Sequence, residues 1–205
     1  LSGKHAGHKI FTMKTLKLSE SGLSSAVLEC AGVLRQRGAV AALPTETVYG
    51  LVCRWDDPDG VAEIYQLKQR DGRKPLSMFA LDVESARRYG AEINDKAERL
   101  FRAFTPGRVT IITGLVGGGT LGIRIPDHEF VLALLRELGE PLASTSANLC
   151  GMPAALNCAD ALSGLNGAPA IAVDGGALPS GSLCGPADGD RRSGQKVPGP
   201  PSGGS

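Results

Sequence analysis

The 205 residues carry 22 Lys and Arg against 21 Asp and Glu, so the chain has no overall charge excess of the kind that marks a nucleic-acid or membrane-surface binder. With 42% hydrophobic and 21% charged residues it suits one domain with a sizeable core, and two full domains would be a squeeze. No apolar run approaches the roughly 20 residues that cross a bilayer, no secretion signal opens the chain, and the five cysteines form no CxxC pair, which favours reduced thiols in a cytoplasm over disulfides or a zinc site.

Residues 1–15, with His5 and His8, read as a disordered leader. Leu23, Ala26, Val27, Cys30, Val33 and Leu34 then recur at helical spacing, and the apolar run Ala39–Ala42 reads as a buried strand. It opens into Leu43-Pro44-Thr45-Glu46-Thr47-Val48-Tyr49-Gly50-Leu51, where Pro44 ends ladder pairing and Gly50 is expected to supply a sharp turn. Two hydroxyls, a carboxylate and a phenol at a strand end either face a ligand or cap the next helix. Asp57-Pro58 signals a helix start, and Val61, Ile64, Tyr65 and Lys68 share one of its faces. The most basic stretch follows, Lys68-Gln69-Arg70-Asp71-Gly72-Arg73-Lys74, and leads into an apolar strand Leu76–Ala80.

Asp82 caps a short helix, and Asn94 begins another that is expected to carry Ala97, Leu100, Phe101 and Phe104 inward. Val109–Leu115 and Thr120–Ile125 read as a hairpin across Gly117-Gly118-Gly119. Pro126-Asp127 opens a helix burying Phe130, Val131, Leu134, Leu135 and Leu138, and Pro141–Ala143 runs into the hydroxyl-rich Ser144-Thr145-Ser146-Ala147-Asn148. A weak helix near Ala159–Leu165 and a strand Ala170–Val173 complete a domain over residues 16–178, and residues 179–205 read as a low-complexity, disordered tail.

Three polar clusters stand at element ends, where open α/β sheets bind ligands. The loop with Lys68, Arg70, Arg73 and Lys74 suits a polyphosphate or is a solvated charge run. Arg124, inside the apolar strand Leu121–Ile125, must be paired with an acid or clamp a small carboxylate or phosphate. The hydroxyls of Ser144–Ser146 lack a base partner, and His128 at a helix start reads as capping or solvated, so hydrogen bonding to a ligand fits them better than nucleophilic attack. No P-loop, Rossmann fingerprint or metal-ligand spacing is present.

The motifs Pro44-Thr45-Glu46-Thr47-Val48-Tyr49-Gly50-Leu51, Lys68-x-Arg70 with Lys74-Pro75-Leu76, Pro106-Gly107 with Thr110, Gly122-Ile123-Arg124-Ile125-Pro126-Asp127-His128, and Ser144–Asn148 with Gly151 together resemble the YrdC-like family. The resemblance implies an α/β fold, a twisted mixed sheet with flanking helices around a concave basic cavity. It implies a nucleotidyltransferase that makes threonylcarbamoyl-adenylate and pyrophosphate from L-threonine, bicarbonate and ATP with Mg2+, and passes the product to a transferase complex that modifies tRNA. On the same basis Thr45, Arg124 and Ser144 resemble threonine-binding positions. Lys68, Arg70, Thr120, Ser146 and Asn148 resemble ATP-binding ones, with Lys68 and Arg70 stabilising charge and no catalytic nucleophile or bound metal of the protein's own. One departure is that Gly181-Ser182-Leu183-Cys184-Gly185 stands where the family has a closing strand and further ligand contacts. A catalytically impaired module binding double-stranded RNA is the alternative.

Overall fold

A computed structural model describes residues 12–179 apart from 73 and 150. The expectations for His5, His8, Arg73, Cys150, the tail and the divergent segment 181–185 therefore lie outside the described residues. In chain order the elements are β1 (Lys14–Lys17), α1 (Leu18–Ser21), α2 (Leu23–Leu34), β2 (Ala41–Leu43), β3 (Gly50–Arg54), α3 (Pro58–Lys68), β4 (Ser77–Phe79) and α4 (Val83–Arg88). They continue with β5 (Ala91–Glu92), α5 (Asp95–Phe104), β6 (Ile111–Leu115), β7 (Thr120–Arg124), α6 (Glu129–Leu138), β8 (Leu142–Ser146), α7 (Cys158–Ser163) and β9 (Ile171–Asp174). The strands form one mixed sheet in the order β1-β9-β2-β3-β8-β4-β7-β6-β5.

Register decides which helices share a face. Cys53, Ala143 and Met78 stand side by side across β3, β8 and β4, and they face the layer of α3, α7, α4 and α5. Their neighbours Val52 and Leu142 point the other way and pack under α2 and α6. On that second face the chain also places Ser77, Phe79, Ser144 and Arg124, which are paired across β4, β8 and β7. Phe79 belongs to the core beneath α2 and α6, while its polar neighbours lie beyond it; an apolar layer therefore gives way to an open polar floor at this ring.

Local signals hold where they concern caps. Asp57 accepts from the Asp59 amide at 3.2 Å, Asn94 from the Ala97 amide at 3.0 Å, and Asp82 forms a reciprocal capping box with Ser85. The hairpin forms as β6 and β7, with Ile112 opposite Gly122. Other expectations are corrected. Gly50 starts β3 rather than a turn; its missing side chain matters laterally, because a Cβ there would lie 3.3 Å from the Thr145 carbonyl of β8. β1 pairs in parallel with β9 and draws Lys14 and Thr15 out of the expected leader into the sheet. Leu100 and Phe104 are exposed, because α5 rests on the sheet through Ala97 and Phe101 alone and β5, the outermost strand, leaves nothing beyond for them to cover.

Candidate ligand cavity

A cavity of about 230 Å³ opens on the polar floor, between the β2–β3 loop, the end of β8, the strands β4 and β7, and Thr110 just before β6. The β2–β3 loop is shaped by one hydroxyl. Thr45 Oγ1 accepts from the amides of Thr47 (3.1 Å) and Val48 (3.3 Å) and donates to the Val48 carbonyl (2.7 Å), a local turn of the kind threonine side chains make. Thr45 is therefore at the cavity wall with its hydroxyl committed to the loop. Ser144, also in the lining and nearly buried, donates to the Ser77 carbonyl at 3.2 Å.

Arg124 resolves one of the alternatives left open by the sequence. Its Nη2 donates to Glu46 Oε1 at 2.6 Å and to Thr47 Oγ1 at 2.9 Å, and its Nε donates to the Gly107 carbonyl at 3.2 Å. Its guanidinium carbon stands 5.5 Å from the centre of the Phe79 ring, close enough for a cation–π contact. The residue is thus both an ion-pair partner and part of the cavity lining. A buried charge of this kind is held by several hydrogen bonds because a single partner does not repay its desolvation.

The basic loop divides into two roles. Arg70 lines the cavity, donating from Nη1 to Thr145 Oγ1 at 3.3 Å and from Nη2 to the Pro75 carbonyl at 3.1 Å. Lys68, the last residue of α3, is 2% exposed and lies behind the wall instead. Its ammonium donates to the Ser146 carbonyl and, at 2.7 Å, to the Asn148 carbonyl, so it fastens the loop that carries both residues. Ser146 and Asn148 line the cavity, and Asn148 Nδ2 donates to the Met152 carbonyl at 2.6 Å.

Of the residues singled out from sequence, the fold brings Thr45, Arg70, Arg124, Ser144, Ser146 and Asn148 to one cavity. It does not bring Thr120 there: this residue is exposed at the start of β7, opposite Gly114. His128 is not a side-chain cap, and it is partly buried, with its Nδ1 out of contact with solvent. It sits at the N-cap of α6 without a capping bond, and burial lowers its pKa from the ordinary value of 6.5 against the opposing fields of Glu46, Glu129 and Asp127. The sequence reading missed Phe79 as the platform of Arg124 and Glu46 as its partner. A buried arginine with a single acid in the polar loop was the available signal for the second.

Among the described residues no cluster of three or more His, Cys, Asp or Glu side chains is placed to hold a metal ion. The lining itself supplies hydroxyls, an amide and cations, and the nearby Glu46 is engaged with Arg124, so these residues do not build a magnesium site. No helix among the described residues is long and apolar enough to cross a membrane.

Residues 33–183 match the family described as Telomere recombination, which groups Sua5, YciO and YrdC proteins. The threonylcarbamoyl-AMP synthase of Bacillus subtilis (strain 168) is 36% identical over 160 residues, 73% of this chain and 46% of that protein. The synthase of Pyrococcus abyssi (strain GE5 / Orsay) is 32% identical over 155 residues, 71% of this chain and 45% of that protein. The chain thus spans about half the length of the curated relatives it matches. The structure of P. abyssi Sua5 complexed with L-threonine is similar at a TM-score of 0.72 and 29% identity, over 82% of this chain and 51% of that one. E. coli YciO, 23% identical, shares the fold at a TM-score of 0.71 over 83% of this chain and 86% of its own. Every wall of the cavity falls within residues 33–183, and the chain belongs to the Sua5/YciO/YrdC family.

Proposed function

We propose that this chain binds L-threonine and ATP in the cavity and, with bicarbonate, forms threonylcarbamoyl-AMP and pyrophosphate. The observation that carries the reading is that Arg124 and Arg70 line one hydroxyl-rich cavity. Two guanidiniums in one cavity suit a ligand pair in which one member ends in a carboxylate and the other in phosphates. The names of the B. subtilis and P. abyssi relatives and the threonine bound to P. abyssi Sua5 support the same pairing.

In this reading Arg124 orients the amino acid through its carboxylate, and Ser144 lies beside it. The threonine amine and bicarbonate give a carbamate with loss of water; a carbamate oxygen then attacks the α-phosphorus of ATP, and pyrophosphate leaves with the electron pair of the broken P–O bond. Alignment and fixed positive charge are what such a displacement requires, and Arg70 supplies charge where the pyrophosphate departs. Lys68 acts by holding Ser146 and Asn148 in place. A magnesium ion would be held by the phosphates of ATP rather than by residues of this cavity, and would supply further positive charge there. The cavity is smaller than the roughly 300–1,000 Å³ of sites that enclose drug-sized ligands, so it holds the amino acid and phosphates and leaves adenosine toward its open side. The product would pass to a transferase acting on tRNA, a role compatible with a cytoplasmic protein.

Incubating the protein with ATP, bicarbonate and labelled threonine tests this reading. Pyrophosphate release that requires all three, together with a labelled adenylate, is the expected outcome. Release without threonine, or none from folded protein, counts against it. Salt-sensitive binding of duplex RNA without ATP binding would favour the RNA-binding alternative.

A further inference from the structure

Arg124 offers five N–H groups, and three are already spent. Both hydrogens of Nη2 go to Glu46 and Thr47, and the hydrogen of Nε goes to the Gly107 carbonyl. Among the described residues the two on Nη1 have no acceptor. A carboxylate gripped by two parallel hydrogen bonds needs two neighbouring nitrogens, either Nη1 with Nη2 or Nε with Nη2. Either fork requires Nη2, so a ligand carboxylate held in this way must displace what Nη2 now holds. Glu46 is the member of that set with the ligand's own chemistry.

Displacing Glu46 would leave a carboxylate, only 12% exposed in its side chain, without its cation. The structure supplies a second place for it. Glu46 Oε2 is buried and has no partner, and so is Nδ1 of His128, a ring close enough to feel the Glu46 charge. Two buried polar atoms without a partner thus belong to neighbouring groups, one on the acid of the Glu46–Arg124 pair and one on the ring that feels its charge.

We propose that Glu46 is an internal counter-ion with which the carboxylate of the bound amino acid exchanges at Arg124, and that His128 Nδ1 receives the displaced Glu46. The proposal rests on the reading of Arg124 as a carboxylate site. In the ligand-free protein the imidazole is surrounded by Glu46 from the β2–β3 loop and by Asp127 and Glu129 on its own segment, which favour its charged form. Burial and the positive end of α6, where His128 is the N-cap, favour the neutral ring. Bringing Glu46 onto Nδ1 tips that balance toward imidazolium, so carboxylate binding takes up a proton and strengthens as pH falls through the range in which histidine titrates.

Calorimetric titration of L-threonine and of its des-amino analogue, 3-hydroxybutyrate, tests the exchange. Glu46→Gln keeps an acceptor on Arg124 but replaces a charged hydrogen bond by a weaker neutral one, and both ligands should bind about fivefold tighter. Glu46→Asp, which retains the charge but withdraws it, should move affinity the same way and serves if Glu46→Gln does not fold. In the unsubstituted protein both ligands should tighten between about pH 7.5 and pH 6, and His128→Asn should bind both more weakly with no such trend. Unchanged or weaker binding of both ligands to folded Glu46→Gln overturns the exchange. Weaker threonine with unchanged 3-hydroxybutyrate overturns it too, assigning Glu46 to the ammonium group. Arg124→Lys separates the underlying reading: if folded Arg124→Lys binds threonine normally, the carboxylate site itself is misplaced, whatever Glu46 does.

Discussion

Tyr49 is fully buried, and its hydroxyl donates to the Gly176 carbonyl at 2.8 Å while accepting from the Gly175 amide at 3.0 Å. One side chain thus ties the entry of β3 to the exit of β9, across 127 residues of sequence. Tyr49→Phe removes the hydroxyl and leaves two backbone groups without their partner, at an expected cost of about 1–3 kcal/mol. Urea unfolding measures it. The same phenol carries a pH signature, because burial pushes its pKa up to about 12. A raised pKa means that the unfolded chain loses the proton first. The contribution is complete below the unfolded value of about 10 and is lost as pH rises toward 12, so the gap between wild type and Tyr49→Phe should narrow over that window.

Helix α3 links the interior to the cavity rim. Near its start Gly60 packs so tightly on β3 that an added Cβ would lie 2.8 Å from Cys53 Cβ and 3.0 Å from Asp57 Oδ2. At its end Lys68 holds the carbonyls of Ser146 and Asn148. Gly60→Ala must therefore lift the helix from the strand, with an expected loss of about 1–3 kcal/mol from overpacking. Because the helix moves as a unit, the Lys68 contacts should loosen with it. Hydrogen exchange gives the readout: amides of residues 146–152 should exchange faster in Gly60→Ala, as they should in Lys68→Met, which removes the ammonium but leaves the packing of α3 intact. If Lys68→Met weakens ATP binding without changing exchange in that loop, its role is direct phosphate contact and the fastening account fails.

At the scale of the molecule, the two helical layers seal three free thiols, Cys30, Cys53 and Cys158, on opposite faces of the sheet. Burial pushes Cys30 up to about 12, Cys158 up to about 11 and Cys53 higher still, so hardly any thiolate exists in the folded state at neutral pH. Alkylation by iodoacetamide, followed by peptide mass spectrometry, should leave all three unmodified in native protein and modify all three together across the urea transition. Modification of Cys158 well before Cys30 would show that the α3–α7 layer opens separately from the α2–α6 layer.

What could be read from the chain alone depended on interactions between near neighbours. Asp57, Asp82 and Asn94 cap helices through amides two or three residues away, and the β6–β7 hairpin closes across a short glycine turn, so their spacing in sequence already states the contact. The ordered motifs likewise marked the residues of the cavity, since they cluster at the ends of β2, α3, β7 and β8. The sheet's edges were beyond such reading. β1 has one buried side chain, Leu16, and β5 is two residues long; each is a strand only because β9 or β6 lies beside it. The Glu46–Arg124 pair joins residues 78 apart, as does the seat of Lys68 under Ser146. No local pattern encodes such contacts. Whether a charged side chain faces a ligand, an acid or a carbonyl is decided by desolvation at its final position, and that position exists only once the distant strands have paired.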